Sequence, residues 1–175
     1  FARDANGLTS LRAAIMEANA SAGPDVILLT AGTYTLQLTG ANEDAAATGD
    51  LDITDDVTVL GTGAGSTTID AQGIDRLFQV LAGKRLTLRG VTVSGGQSPA
   101  NTDGGGILSS GILTIEDSVL ANNRTGNHGG GIWNDGGTVT IARSTLSGNT
   151  SPGNAGAIGS TGATAQLTVI ASTIS

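Results

Sequence analysis

Short apolar alternations recur along the chain in a fixed order. A glycine-rich segment ending in isoleucine occupies 104–107, returns at 129–132 and returns with alanines at 155–158. A strand-like triplet follows each one, at 113–115, 139–141 and 167–169. A unit of short strands that repeats every 25–28 residues can bury its apolar side only against copies of itself. The pattern predicts a β-solenoid whose function lies along its surface.

Equivalent positions of successive repeats are expected to stack. Val93, Leu120, Leu146 and Ile174 recur at this spacing and predict an aliphatic ladder inside the solenoid. Two polar sets accompany it: the inward serines Ser118, Ser144 and Ser172, which we expect to bond neighbouring coils, and an internal asparagine step of Asn123 and Asn149.

An amphipathic helix is predicted over 8–22, before the strands begin. Thr9 or Ser10 can cap it, and Leu11, Ile15 and Ala18 share one face. Such a helix would cover the open end of the first coil. Segment 40–49 breaks the alternation and is expected to be a loop projecting from the first turns, and repeated coils fill 50–175. The prediction is one all-β domain over 1–175: a right-handed parallel β-helix of about five or six coils, three short strands per coil, with an N-terminal amphipathic capping helix.

Composition narrows the choice of partners. The 175 residues include no cysteine, which excludes disulfides and thiolate metal sites, and no apolar run long enough to insert into a membrane. The formal net charge of −7 disfavours nucleic acid and anionic lipid as partners, and polyanionic polysaccharide unless a cation bridges the two.

Two motifs resemble those of known proteins. The run 8–15 (Leu-Thr-Ser-Leu-Arg-Ala-Ala-Ile), followed by Ala18-Asn19, is similar to the cap of bacterial right-handed parallel β-helix surface proteins of the pectate-lyase-like superfamily, whose motif reads Cys-Ser-Leu-Arg-Glu-Ala-Ile. Here Thr9 stands at the Cys position and Ala13 at the Glu position. The Gly-Gly-Gly-Ile repeats with Leu120-x-x-Asn123 resemble the Gly-Gly-Ala-Ile and Phe-x-x-Asn repeats of chlamydial polymorphic outer-membrane adhesins, with Leu in place of Phe.

Together the two motifs cover most of the chain and imply the β-helix fold and an extracellular or bacterial outer-surface location. Our first functional hypothesis is a non-catalytic structural or adhesive module of a bacterial cell-surface or secreted protein, with carbohydrate or a host or neighbouring cell surface as partner. Since the chain stops at Ser175 inside an unfinished coil, we expect either that the natural protein continues or that this end meets another copy end to end.

The alternative is an enzyme of the same fold, a polysaccharide lyase or glycoside hydrolase acting on acidic polysaccharide in a groove along the helix. Such chemistry needs paired carboxylates or a basic residue beside carboxylates. The candidate catalytic residues are Asp50, Asp52, Asp70 and Arg76, although the first interpretation of Asp70 is as the cap of a turn. The aspartates of 50–56 are a weak candidate for calcium, and no other cofactor is indicated.

Three further residues are candidates for ligand binding. Trp133 follows Ile132, so alternation points it outward, either as a sugar-stacking platform or packed beneath a side loop. His128 is the single histidine and lies one repeat after Asp103, with Arg124 nearby. A lone histidine at an exposed turn usually has no role beyond the turn itself.

Overall fold

The computed structural model describes residues 10–40 and 43–175. Helix α1 spans Leu11–Ala20, and short strands follow it to the end of the chain. Numbered in chain order, they are β1 Asp25–Leu28, β2 Gly32–Thr35, β3 Leu51–Ile53, β4 Val57–Leu60, β5 Thr67–Asp70, β6 Phe78–Val80, β7 Arg85–Arg89, β8 Thr92–Ser94, β9 Gln97–Ala100, β10 Ile107–Ser109, β11 Ile112–Glu116, β12 Val119–Ala121, β13 Arg124–Gly126, β14 Ile132–Asp135, β15 Thr138–Ala142, β16 Thr145–Ser147, β17 Ile158–Thr161, β18 Gln166–Ile170 and β19 Thr173–Ile174.

The strands form three long parallel sheets that run the length of the molecule. Sheet 1 has the strand order β1-β4-β7-β11-β15-β18. Sheet 2 has the order β2-β5-β8-β12-β16-β19, and sheet 3 has the order β3-β6-β10-β14-β17. A short pair, β9 and β13, lies between sheets 2 and 3 in the chain. The molecule is a right-handed parallel β-helix of about five turns with one N-terminal helix, which confirms the predicted fold.

The core is a stack of aliphatic side chains from all three sheets. In sheet 2, Val93 pairs with Leu120, Leu120 with Leu146 and Leu146 with Ile174, so the predicted ladder is confirmed. Its first three members are fully buried, whereas Ile174 in the last described coil is 45% exposed. Each buried leucine or valine contributes about 1.5–3 kcal/mol relative to an exposed one, so the stack is the main source of stability.

Polar side chains link successive coils inside this stack. The backbone N–H of Ser118 donates to Ser144 Oγ over 3.2 Å, and that of Ser144 donates to Ser172 Oγ over 3.0 Å. Asn123 Nδ2 donates to Asn149 Oδ1 over 3.0 Å. Both predicted steps are confirmed, and they satisfy backbone groups at corners where the sheets end.

Helix α1 covers the first coil with the face that its sequence predicts. Leu11, Ile15 and Ala18 are buried, and Ser10 Oγ accepts the N–H of Ala13 as an N-cap. The helix ends at Ala20, two residues before the predicted end, because Ser21 is already extended and donates its N–H to the carbonyls of Glu17 and Ala18. Leu8 and Thr9, part of the predicted 8–22 helix, lie outside the described residues.

The loop predicted over 40–49 is irregular in its described part, but it folds back onto the body. Ala46 is fully buried. The Arg12 guanidinium donates to the carbonyls of Ala46 and Asp50 over 2.8 and 2.9 Å, and also to the carbonyl of Gly49. One buried arginine therefore ties the capping helix to the 43–50 loop and holds that loop beside sheet 3.

Candidate functional site

The outer face of sheet 3 carries a column of unlike side chains in register. Asp52 pairs with Gln79, Gln79 with Leu108, Leu108 with Trp133 and Trp133 with Gly159. Successive strands of a sheet are about 4.8 Å apart, so the column runs along the axis of the helix. Sheets 1 and 2, by contrast, present mainly threonine outward, for example Thr87, Thr114 and Thr140 of sheet 1.

A groove follows this column. It consists of two adjoining clefts with volumes of about 280 and 480 Å³, which share Arg76 and Thr102. The acidic cleft is lined by Glu43, Asp44, Asp50, Asp75, Arg76, Gln79, Pro99 and Thr102. The aromatic cleft is lined by Arg76, Thr102, Asp103, Leu108, Asn127, His128, Trp133, Asp135 and Thr161.

A chain of polar contacts spans the acidic cleft. Arg76 Nη1 lies 3.4 Å from Asp50 Oδ2 and donates to Gln79 Oε1 over 2.6 Å. Gln79 Nε2 in turn donates to Asp44 Oδ1 over 2.8 Å, which links sheet 3 to the 43–50 loop. The Asp75 carboxylate accepts the N–H of Arg76 over 2.7 Å. The structure thus brings together two of the candidate catalytic residues, Asp50 and Arg76.

Burial raises the pKa values of the carboxyls in and behind this cleft. Desolvation is the largest cause for Asp50, whose pKa rises to about 7 although Arg76 opposes the shift. Desolvation also raises the pKa of Asp52 to about 6, against the N–H of Ala46, which donates to its Oδ2 over 2.8 Å. The pKa of Asp75 rises for the same reason. The cleft therefore holds protonatable carboxyls near neutral pH.

These shifts predict that the protein is more stable in mild acid than in base. A carboxyl with a raised pKa binds its proton more tightly in the folded chain than in the unfolded chain. Its contribution to the free energy of unfolding is therefore complete below the unfolded pKa of about 3.8 and is lost as the pH rises through 6–7. The melting temperature should be higher at pH 5 than at pH 8. Asp52→Asn should raise the free energy of unfolding at pH 8 by on the order of 1–3 kcal/mol, because it removes a buried charge while the amide oxygen can still accept from Ala46. The gain should be smaller at pH 5, where the Asp52 carboxyl is mostly protonated.

Thermal melts of the wild type and Asp52→Asn across this pH range make the comparison. Asp135→Asn is the matched control, because it makes the same substitution at an exposed aspartate outside the acidic cleft. A melting temperature that rises from pH 5 to pH 8, or an Asp52→Asn variant less stable than the wild type at pH 8, would contradict the account.

Trp133 and His128 form the aromatic cleft. Their rings stack with centroids 5.2 Å apart and an interplanar angle of 27°. His128 Nδ1 lies 3.1 Å from Asp103 Oδ1, which also accepts the backbone N–H of His128 over 3.0 Å. Gly159 leaves room for the indole, since a Cβ there would lie 2.5 Å from Trp133 Cζ3. Trp133 thus points outward as predicted and lines an open cleft.

Two of the predicted site residues lie elsewhere. Asp70 is at the end of β5 in sheet 2, and its Oδ1 accepts the N–H of Gln72 over 2.8 Å. It caps a turn, which confirms the first interpretation of its sequence. Arg124 is exposed on β13 and lines neither cleft.

Other lining residues were not predicted. Gln79 and Asp135 belong to the site because of strand register and alternation: Gln79 stacks on Asp52, and Asp135 follows Trp133 by two residues on the same face. That signal was available in the sequence. Glu43 and Asp44 reach the groove only through the fold of the 43–50 loop, which no repeat predicts.

Within 10–40 and 43–175, no three His, Asp or Glu side chains are placed together as a metal site. Asp55 and Asp56, from the segment considered for calcium, instead lie beside Lys84 and Arg85 at 3.3 and 3.9 Å. No helix in the described part of the chain has the length and apolar character needed to cross a membrane.

No protein-family model, curated protein or solved structure matches the chain. The groove therefore has to be interpreted from its own residues.

Proposed function

We propose that the chain is a non-catalytic adhesive module that binds carbohydrate in the groove over sheet 3, as part of a bacterial cell-surface or secreted protein. The observation that carries the proposal is the outward Trp133, stacked on His128 in an open cleft that continues into a second, polar cleft. A rigid aromatic face binds the apolar face of a sugar ring, and flanking polar groups bind its hydroxyls. The resemblance of the cap and repeats to bacterial surface β-helices supports the proposed location.

Binding fits the acidic cleft better than catalysis does. A lyase needs a base that is free to take a proton, and Arg76 is held between Asp50 and Gln79. Asp52 is fully buried and accepts from the 43–50 loop. These side chains are already engaged in holding loop and sheet together.

A glycoside hydrolase is the second candidate, and one observation favours it. Burial raises the pKa of Asp50 to about 7 in a cleft, and a carboxyl that is protonated at neutral pH is what a general acid requires. Under this reading Asp50→Asn would abolish the release of reducing ends while leaving binding intact.

The test is a binding and turnover panel. Neutral, amino and acidic oligosaccharides are titrated by calorimetry, with and without calcium, and the mixtures are then assayed for reducing ends and unsaturated products. We expect binding without turnover, and Trp133→Ala should weaken it by about tenfold or more, because stacking aromatics dominate such sites.

Thr114→Ala is the matched control, since Thr114 faces outward from sheet 1, outside the groove. Turnover that depends on Asp50 would replace the adhesive proposal with the hydrolase. Failure to bind any member of the panel, or equal binding by Trp133→Ala and the wild type, would contradict a carbohydrate site at Trp133.

A further inference from the structure

We propose that the groove selects glycans that carry free amino groups, and that Asp135 is the residue that pairs with the sugar ammonium. This inference rests on the proposed function, because it assigns a ligand class to the same groove. It differs from the sequence-based alternative, in which the groove of an enzyme would receive an acidic polysaccharide.

The position of Asp135 carries the first step. Strand β14 alternates, with Ile132 and Asn134 buried and with Trp133 and Asp135 facing outward. Residues two apart on one face of a strand are separated by about 6.6 Å, and Trp133 and Asp135 both line the aromatic cleft. Thr161 is its partner on the next strand and is exposed.

Asp135 is also free to bind. No described residue donates a hydrogen bond to its carboxylate or forms an ion pair with it. The nearby Asp103, by contrast, is occupied by His128. An aromatic platform that shares a cleft with an unpaired carboxylate suits a ligand whose sugar ring stacks on the indole while its cation pairs with the carboxylate.

The charge of the whole groove points the same way. Its lining includes the carboxyls of Glu43, Asp44, Asp103 and Asp135, together with Asp50 and Asp75, whose negative charge is reduced because burial raises their pKa values. Arg76 is the one arginine or lysine among the described lining residues, and it is engaged by Asp50 and Gln79. A polyuronate would meet like charge and no available cation, whereas a protonated amine would meet charge-assisted acceptors.

The deciding experiment compares two ligands that differ only in the amine. Glucosamine oligomers and their fully N-acetylated counterparts are titrated into the protein at pH 6 and low salt, with oligolysine as a cationic peptide probe. We expect the free amine to bind about tenfold more tightly, with an affinity that falls as salt rises. Asp135→Asn should remove most of that preference and leave the N-acetylated affinity nearly unchanged.

Trp133→Ala serves as the second variant and should weaken both ligands. Equal affinity for the two oligomers, or a preference that survives Asp135→Asn, would overturn the charge selection while leaving carbohydrate binding in place. Binding of neither oligomer nor any other glycan would overturn both proposals. Oligolysine bound as tightly as the amino sugar and insensitive to Trp133→Ala would instead identify the groove as a surface for basic peptides.

Discussion

Replacing Arg12 by alanine is expected to lower the free energy of unfolding by about 3–5 kcal/mol. The guanidinium is buried and donates to three carbonyls of the 43–50 loop, those of Ala46, Gly49 and Asp50. Its removal leaves buried acceptors without donors and separates the capping helix from the loop. Arg12→Lys should also destabilise, because one ammonium cannot reproduce the planar fork of donors.

Chemical denaturation followed by circular dichroism measures the effect. Arg124→Ala is the matched control, because Arg124 is exposed on β13, and its loss should change stability by less than about 0.5 kcal/mol. If Arg12→Ala were as stable as Arg124→Ala, the guanidinium would not be what fastens the cap, and the 43–50 loop would need another explanation for its position.

The second large effect is expected at the internal asparagine step. Asn123→Ala should cost about 2–4 kcal/mol. The Asn123 side chain is fully buried, accepts the N–H of Gly96 over 2.9 Å and donates to the carbonyl of Val93 over 3.2 Å and to Asn149 over 3.0 Å. Alanine would remove the side-chain acceptor of the Gly96 N–H and the side-chain donor to the Val93 carbonyl, and would leave a cavity in their place.

The control for this change is Asn154→Ala, an asparagine on the exposed turn before β17. Urea midpoints of the two variants and the wild type give the comparison. We expect Asn154→Ala to unfold with the wild type and Asn123→Ala well before it. Coincident midpoints for all three would mean that the coils are held in register by the aliphatic ladder alone.

Most of the fold could be predicted from the sequence because the repeat spacing indicates which residues stack on one another in successive coils. The spacing of Val93, Leu120 and Leu146 places them on one ladder, and the structure pairs them directly. Ser118 and Asn123 follow from the same register. The end of the helix was less predictable, because it depends on Ser21 adopting an extended conformation before Pro24.

The site was predictable only where strand register determines it. Alternation alone points Trp133 outward, and the repeat alone brings His128 above Asp103. The contact between Asp44 and Gln79 depends on how the irregular 43–50 loop folds, which no periodicity describes. The role of Asp70 could be predicted from local sequence alone, since an aspartate at the start of a turn caps it, and its carboxylate does so here.

The most direct test of the account is to locate the bound glycan on the protein by nuclear magnetic resonance. An isotope-labelled sample is titrated with glucosamine oligomer, and the backbone and indole shifts are followed. We expect the largest changes to cluster at the residues that line the aromatic cleft over sheet 3, Leu108, His128, Trp133 and Asp135. Changes centred instead on the outward threonines of sheet 1, such as Thr87, Thr114 and Thr140, would contradict it.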